Sequence, residues 1–136
     1  MLPLLPPAAS APTTAPTVDL SITGLRSTKG QVLVCLTTNR KAFPDCSKDA
    51  GSVRMAVKAA EAGNFAVHAP ATGTYAIAVV HDENGNNKMD TAIFLPKEGF
   101  GFSRNPTITV GPPSFKSASF AVTGDVHQSI KMKYML

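Results

Sequence analysis

The sequence predicts an all-β chain, an antiparallel β-sandwich of about seven to eight strands. Short apolar or alternating runs recur between turn signals at roughly 8–12-residue spacing. Residues 74–80 (TYAIAVV) form an apolar, β-rich run too short for a helix of ordinary length. No segment carries the 3.6-residue periodicity of a long amphipathic helix.

Each element follows from local pattern. Val18, Leu20 and Ile22 alternate with Asp19, Ser21 and Thr23, the period of a half-buried strand. Lys29-Gly30 turns the chain. Residues 31–36 (QVLVCL) form a continuous, β-branched run, which predicts a strand covered on both faces. A polar excursion around Phe43-Pro44-Asp45-Cys46 follows. Residues 52–58 (SVRMAVK) alternate weakly, and with Ala59, Ala60 and Ala62 they fit a strand or a short helix. Phe65, Val67 and Ala69 share a face before Pro70 and Gly73 end the run. After residues 74–80, short strands are expected at 107–110, 115–122 and 128–135. In the last of these Ile130, Met132 and Tyr134 oppose Lys131 and Lys133.

The 136 residues are 43% hydrophobic and 16% charged, which fits one globular domain, read here as residues 18–136. Thirteen Lys and Arg against nine Asp and Glu give +4, with no basic run, so no dedicated nucleic-acid surface is expected. No stretch reaches the roughly 20 apolar residues of a membrane span. Residues 1–17 hold five of the eleven prolines and no charge, a composition that builds neither helix nor strand. They read as a flexible leader or the remnant of a signal peptide, with Ala9-Ser10-Ala11 as a small-x-small cleavage triplet. The expected location is periplasmic or secreted.

Cys35 and Cys46 suit neither a CxxC redox pair nor a zinc site. An even count, with one Cys in a strand and one in the returning loop, favours a disulfide over two buried thiols. Closing a loop of about a dozen residues contributes roughly 3 kcal/mol in the chain-entropy picture.

Two segments carry candidate chemistry. Asp82, Asn84, Asn86 and Asp90 place oxygen-bearing side chains at alternate positions of residues 82–90, and Lys88 offers a backbone carbonyl. That is the donor pattern of a calcium loop, although Ile93 stands where an EF-hand has its bidentate acid. Two carboxylates and two amides predict weak affinity, on the order of 0.1–1 mM. The same Asn and Asp residues also form ordinary Asx turns, so the segment fits an ion site or a turn. The second segment is residues 94–106. Phe94, Phe100 and Phe102 are interleaved with Gly99 and Gly101, and Arg104 follows. Such rings stack on a sugar or peptide, or fold back to cap the sandwich.

The run GTYAIAVVHDENGN (residues 73–86) with Asp90-Thr91, then PKEGFGFS (96–103) and GPPSF (111–115), resembles the DUF2141 family of small exported bacterial proteins. The resemblance spans about residues 18–136 and implies export and an immunoglobulin-like or transthyretin-like sandwich. It implies no activity, because the family has none assigned. Between Asp90-Thr91 and Pro96 the chain reads Ala92-Ile93-Phe94-Leu95, one residue shorter than the family pattern.

No nucleophile elbow, phosphate loop or HExxH occurs. His81 and Asp82 are adjacent, so a continuing strand sends them to opposite faces. His68 and His127 are isolated. The expectation is a non-enzymatic, exported module with a weak calcium loop, acting in binding or assembly at the cell envelope with a protein or glycan partner. The alternative is a small-ligand or carbohydrate carrier working through residues 94–106.

Overall fold

Period-2 alternation of apolar and polar side chains builds most of the strands. The computed structural model describes residues 15–85, 98–108 and 111–134. Among these, eight strands run in order: β1 (Thr17–Thr23), β2 (Gln31–Thr37), β3 (Val53–Lys58), β4 (Phe65–His68), β5 (Gly73–Asp82), β6 (Gly99–Phe102), β7 (Phe120–Val122) and β8 (Val126–Lys131). They form two sheets. One has the order β4-β1-β8, and the other β3-β2-β5-β6, with β7 also pairing β5.

Facing sides of the sheets enclose the main core. Val18, Leu20 and Ile22 of β1 meet Val32, Val34 and Leu36 of β2, and Tyr75, Ile77 and Val79 of β5. Burying each large aliphatic side chain contributes about 1.5–3 kcal/mol. β2 and β5 are also apolar on their outer face, and there a second cluster forms. Leu33, Cys35, Ala76, Ala78 and Val80 are covered by Phe43 and Cys46 from the excursion after β2 and by Phe115 and Ala118. Asn39, Asp45 and Asp49 hold that excursion in shape. Asn39 Oδ1 accepts from the Lys41 and Ala42 amides, Asp45 Oδ1 from Ser47, and Asp49 Oδ1 from Gly51.

Several elements differ from the sequence expectation. Residues 115–122 are not one strand: a helical turn, α1 (Phe115–Ala118), precedes β7. Ser114 caps that turn by accepting from the Ser117 amide at 3.2 Å. The alanines after β3 form a single 3-10 turn, Ala59–Glu61, which resolves that ambiguity as strand then turn. Thr107 and Ile108 belong to no strand, and residues 109 and 110 lie outside the described residues. The pairing of β1 with β8 is parallel, from Val18 opposite Val126 to Thr23 opposite Lys131. Nothing local reports this pairing, because the two strands are joined through most of the chain.

The segment read as an aromatic loop contains a strand. In β6, Phe100 and Phe102 face the second cluster, Gly101 faces β8, and Gly99 faces Tyr134 beyond it. A Cβ on Gly101 would lie 2.7 Å from Ile130 Cγ2 and 3.1 Å from the Lys131 carbonyl oxygen. One on Gly99 would enter the Tyr134 ring. The bare glycine backbone lets the C-terminal strand close on β6. There the Phe100 amide donates to the Lys133 carbonyl at 3.0 Å and the Lys133 amide to the Phe100 carbonyl at 2.8 Å. That bridge ties the two sheets together at one corner.

Candidate functional site

Strand β5 ends in His81 and Asp82, and alternation sends them to opposite faces. Both are fully buried. His81 follows Tyr75, Ile77 and Val79 toward the inside of the sandwich. Its Nε2 lies 2.8 Å from the Lys29 carbonyl oxygen and its Nδ1 lies 2.7 Å from the Tyr134 hydroxyl. A carbonyl only accepts, so Nε2 carries a hydrogen, and in the neutral imidazole Nδ1 accepts from the phenol. The Tyr134 oxygen in turn accepts from the Arg26 amide at 3.2 Å. Burial pushes the Tyr134 phenol above its ordinary pKa, which keeps it a donor.

Arg26 closes this end of the molecule. Its guanidinium sits 4.5 Å from the Tyr134 ring centroid and contacts Glu83 Oε1 at 2.6 Å. Ser27 Oγ donates to Glu83 Oε2 at 2.8 Å. The hydrogen bond from Arg26, with help from Ser27, holds the Glu83 carboxyl below its ordinary pKa despite opposing desolvation.

On the outer face the pattern is acidic. Gln31 stands opposite Asp82 and its amide donates to Asp82 Oδ2 at 3.2 Å. Glu98, just before β6, is buried, and its Oε2 has no hydrogen-bond partner. Desolvation, then the carboxylates of Asp82 and Glu83, push the Glu98 carboxyl above its ordinary pKa.

Asp82 opens the expected calcium loop but is buried in the sheet, and Asn84 is exposed just beyond it. Asn86, Lys88, Asp90 and Phe94 lie outside the described residues. Among the described residues no group of three or more His, Cys, Asp or Glu side chains gathers as a metal cluster. Phe100 and Phe102 are 6% and 3% exposed. Phe102 packs edge-on against Phe43 at 5.9 Å between centroids. Both rings are used by the core, so the stacking role expected of them on a ligand surface is corrected. Arg104 is exposed, with φ +65°, and its Nη1 donates to the Ser119 carbonyl at 3.2 Å. Cys35 and Cys46 are disulfide-bonded with Cα atoms 6.1 Å apart, inside the range the bond requires.

The segments 73–85 and 98–103 therefore supply β5 and β6, the centre and one edge of the larger sheet. The family described as "Uncharacterized protein conserved in bacteria (DUF2141)" matches residues 20–131. The chain belongs to the DUF2141 family. No curated protein and no solved structure shows a significant match. The DUF2141 match includes His81, Asp82, Glu83 and Glu98, whereas Tyr134 lies just beyond it.

Sequence reasoning missed Arg26, Gln31, Glu98 and Tyr134, which come together only through pairing of distant strands. It also missed Ser103. This buried serine accepts from the Ile77 amide at 2.9 Å and donates to the Ala118 carbonyl, fastening α1 to the middle of β5. The serine of the PKEGFGFS segment was the one available signal. Among the described residues no helix is long and apolar enough to cross a membrane.

Proposed function

We propose that this DUF2141 protein is a non-enzymatic, exported module, periplasmic or secreted, that acts in binding or assembly at the cell envelope. The observation that carries export is the Cys35–Cys46 bond. It pins the excursion that covers the outer apolar face, and it persists in oxidising compartments. The non-enzymatic reading is supported by His81. Both of its ring nitrogens are engaged by internal partners and its side chain is fully buried, so it offers no basic nitrogen to a substrate. Weak calcium binding at the segment opening on Asp82 belongs to the same proposal, with Asn84, Asn86, Lys88 and Asp90 as the further donors.

Fractionation of a bacterium producing the full chain tests it. The protein is expected outside the cytoplasm, with an intact mass lighter by the hydrogens lost in disulfide formation. Recovery from the cytoplasm with two alkylatable thiols overturns export. Loss of the bond should also weaken the fold by roughly 2–5 kcal/mol, read as a lower melting temperature in reductant.

A further inference from the structure

The register of β5 and β6 pairs Val80 with Phe100 and His81 with Gly99. One step further it brings Asp82 alongside Glu98, on the face that carries Val80 and Phe100. Asp82 is 0% exposed and Glu98 is 6% exposed. Side chains directly opposite in an antiparallel pair have Cβ atoms about 4.5–5.5 Å apart. Two carboxylates at that separation and out of water repel, unless a proton or a cation lies between them.

Among the described residues Glu98 receives little compensation. Gln31 gives Asp82 a neutral amide donor. Arg26 acts on Glu98 through space but is hydrogen-bonded to Glu83. Among the described residues no cationic side chain pairs with Glu98, and its Oε2 is buried without a hydrogen-bond partner. An orphaned, buried carboxylate oxygen beside a second buried carboxylate is a position that a bound cation satisfies.

We propose that Asp82 and Glu98 form the heart of a site for a hard divalent cation of the calcium type, built across β5 and β6. This deepens the calcium reading above and rests on it, but it shares only Asp82 with the donor set spaced along residues 82–90. Oxygen donors without imidazole or thiolate suit calcium rather than a transition metal. Calcium also accepts an irregular shell completed by water. With two protein carboxylates the affinity falls on the order of 0.1–1 mM, as in extracellular modules.

Calorimetric titration of calcium chloride into the chelator-treated full chain decides it, with Glu98→Gln, Asp82→Asn and Asp90→Asn beside the parent. Saturable binding is expected in the parent, weakened about tenfold or more in Glu98→Gln and in Asp82→Asn by loss of a carboxylate ligand. Glu98→Gln keeps the side-chain shape and removes a buried charge, so its fold, checked by circular dichroism, should be intact. Binding in Glu98→Gln at the parent's affinity overturns the cross-strand site and leaves the loop reading to Asp90→Asn, whose loss of binding would support it. No binding by the parent overturns both.

Discussion

The Tyr134 hydroxyl donates to His81 Nδ1 at 2.7 Å, joining the last described residue of the chain to the end of its central strand. The two rings meet edge to face at 5.9 Å between centroids. This contact fastens the C-terminal segment to β5 where neither backbone pairs with the other.

Tyr134→Phe removes the donor and leaves a buried imidazole nitrogen unsatisfied. The expected cost is about 1–3 kcal/mol. Melting temperature should fall by several degrees, on the order of 4 °C per kcal/mol at this chain length. An unchanged melting temperature would mean that water or another group replaces the phenol.

Glu83 and Arg26 give the fold an acid-sensitive increment. The Arg26 contact lowers the Glu83 pKa, so the folded state binds that proton less readily than the unfolded chain. The increment is complete above the unfolded value of about 4.5 and disappears as pH falls through the lowered folded value. With side chains 38% and 23% exposed, the pair is screened by solvent and its increment is small. Melting curves of Glu83→Gln and the parent should differ at pH 7 and converge in acid. A difference that grows in acid would reverse the assignment.

Gly101→Ala tests the closure of β6 on the C-terminal strand. The added methyl meets Ile130 Cγ2 at 2.7 Å and Met132 Sδ at 3.1 Å, besides the fixed Lys131 carbonyl. Overpacking of this kind costs about 1–3 kcal/mol, whereas an alanine in an unobstructed strand position would gain by its smaller entropy loss. A rise in melting temperature would show that β8 moves away at no cost.

The physics of each segment decides what was legible. β1, β2 and β5 carry their period or their two-sided apolarity in plain view, so their existence and burial follow from the residues. β6 was hidden because half of its residues are glycine, a poor strand former. Only the close approach of Ile130 and Tyr134 explains why a side chain is missing there. The polar end was illegible for a related reason. Arg26, Gln31, Glu83, Glu98 and Tyr134 are scattered along the sequence, and strand register assembles them. The acids of residues 82–90 drew notice because they cluster in sequence, whereas Glu98 reaches Asp82 only across the sheet.

Both faces of β5 are apolar. Tyr75, Ile77 and Val79 point into the sandwich, and Ala76, Ala78 and Val80 point the other way. In the structure Phe100 and Phe102 stand beside them on the neighbouring strand, and the lid consists of Phe43, Cys46 and Phe115. Phe43 packs edge-on against both Phe102 and Phe115, each 5.9 Å between centroids, so the lid is a connected aromatic layer. Ala78 sits beneath it, opposite Cys35 on one side and Phe102 on the other. Ala78→Asp would place a carboxylate under that layer, at a cost of about 3 kcal/mol or more. Ile77→Ala, on the inner face, should cost about 2–5 kcal/mol through the cavity it leaves. Ala121→Asp, at an exposed position of β7, should cost within about 0.5 kcal/mol and serves as the control. Thermal melts of the three variants separate the two faces. If Ala78→Asp melts with the Ala121→Asp control, the outer face is solvated and the aromatic layer does not seal it. If it melts with Ile77→Ala or lower, the domain has cores on both sides of β5.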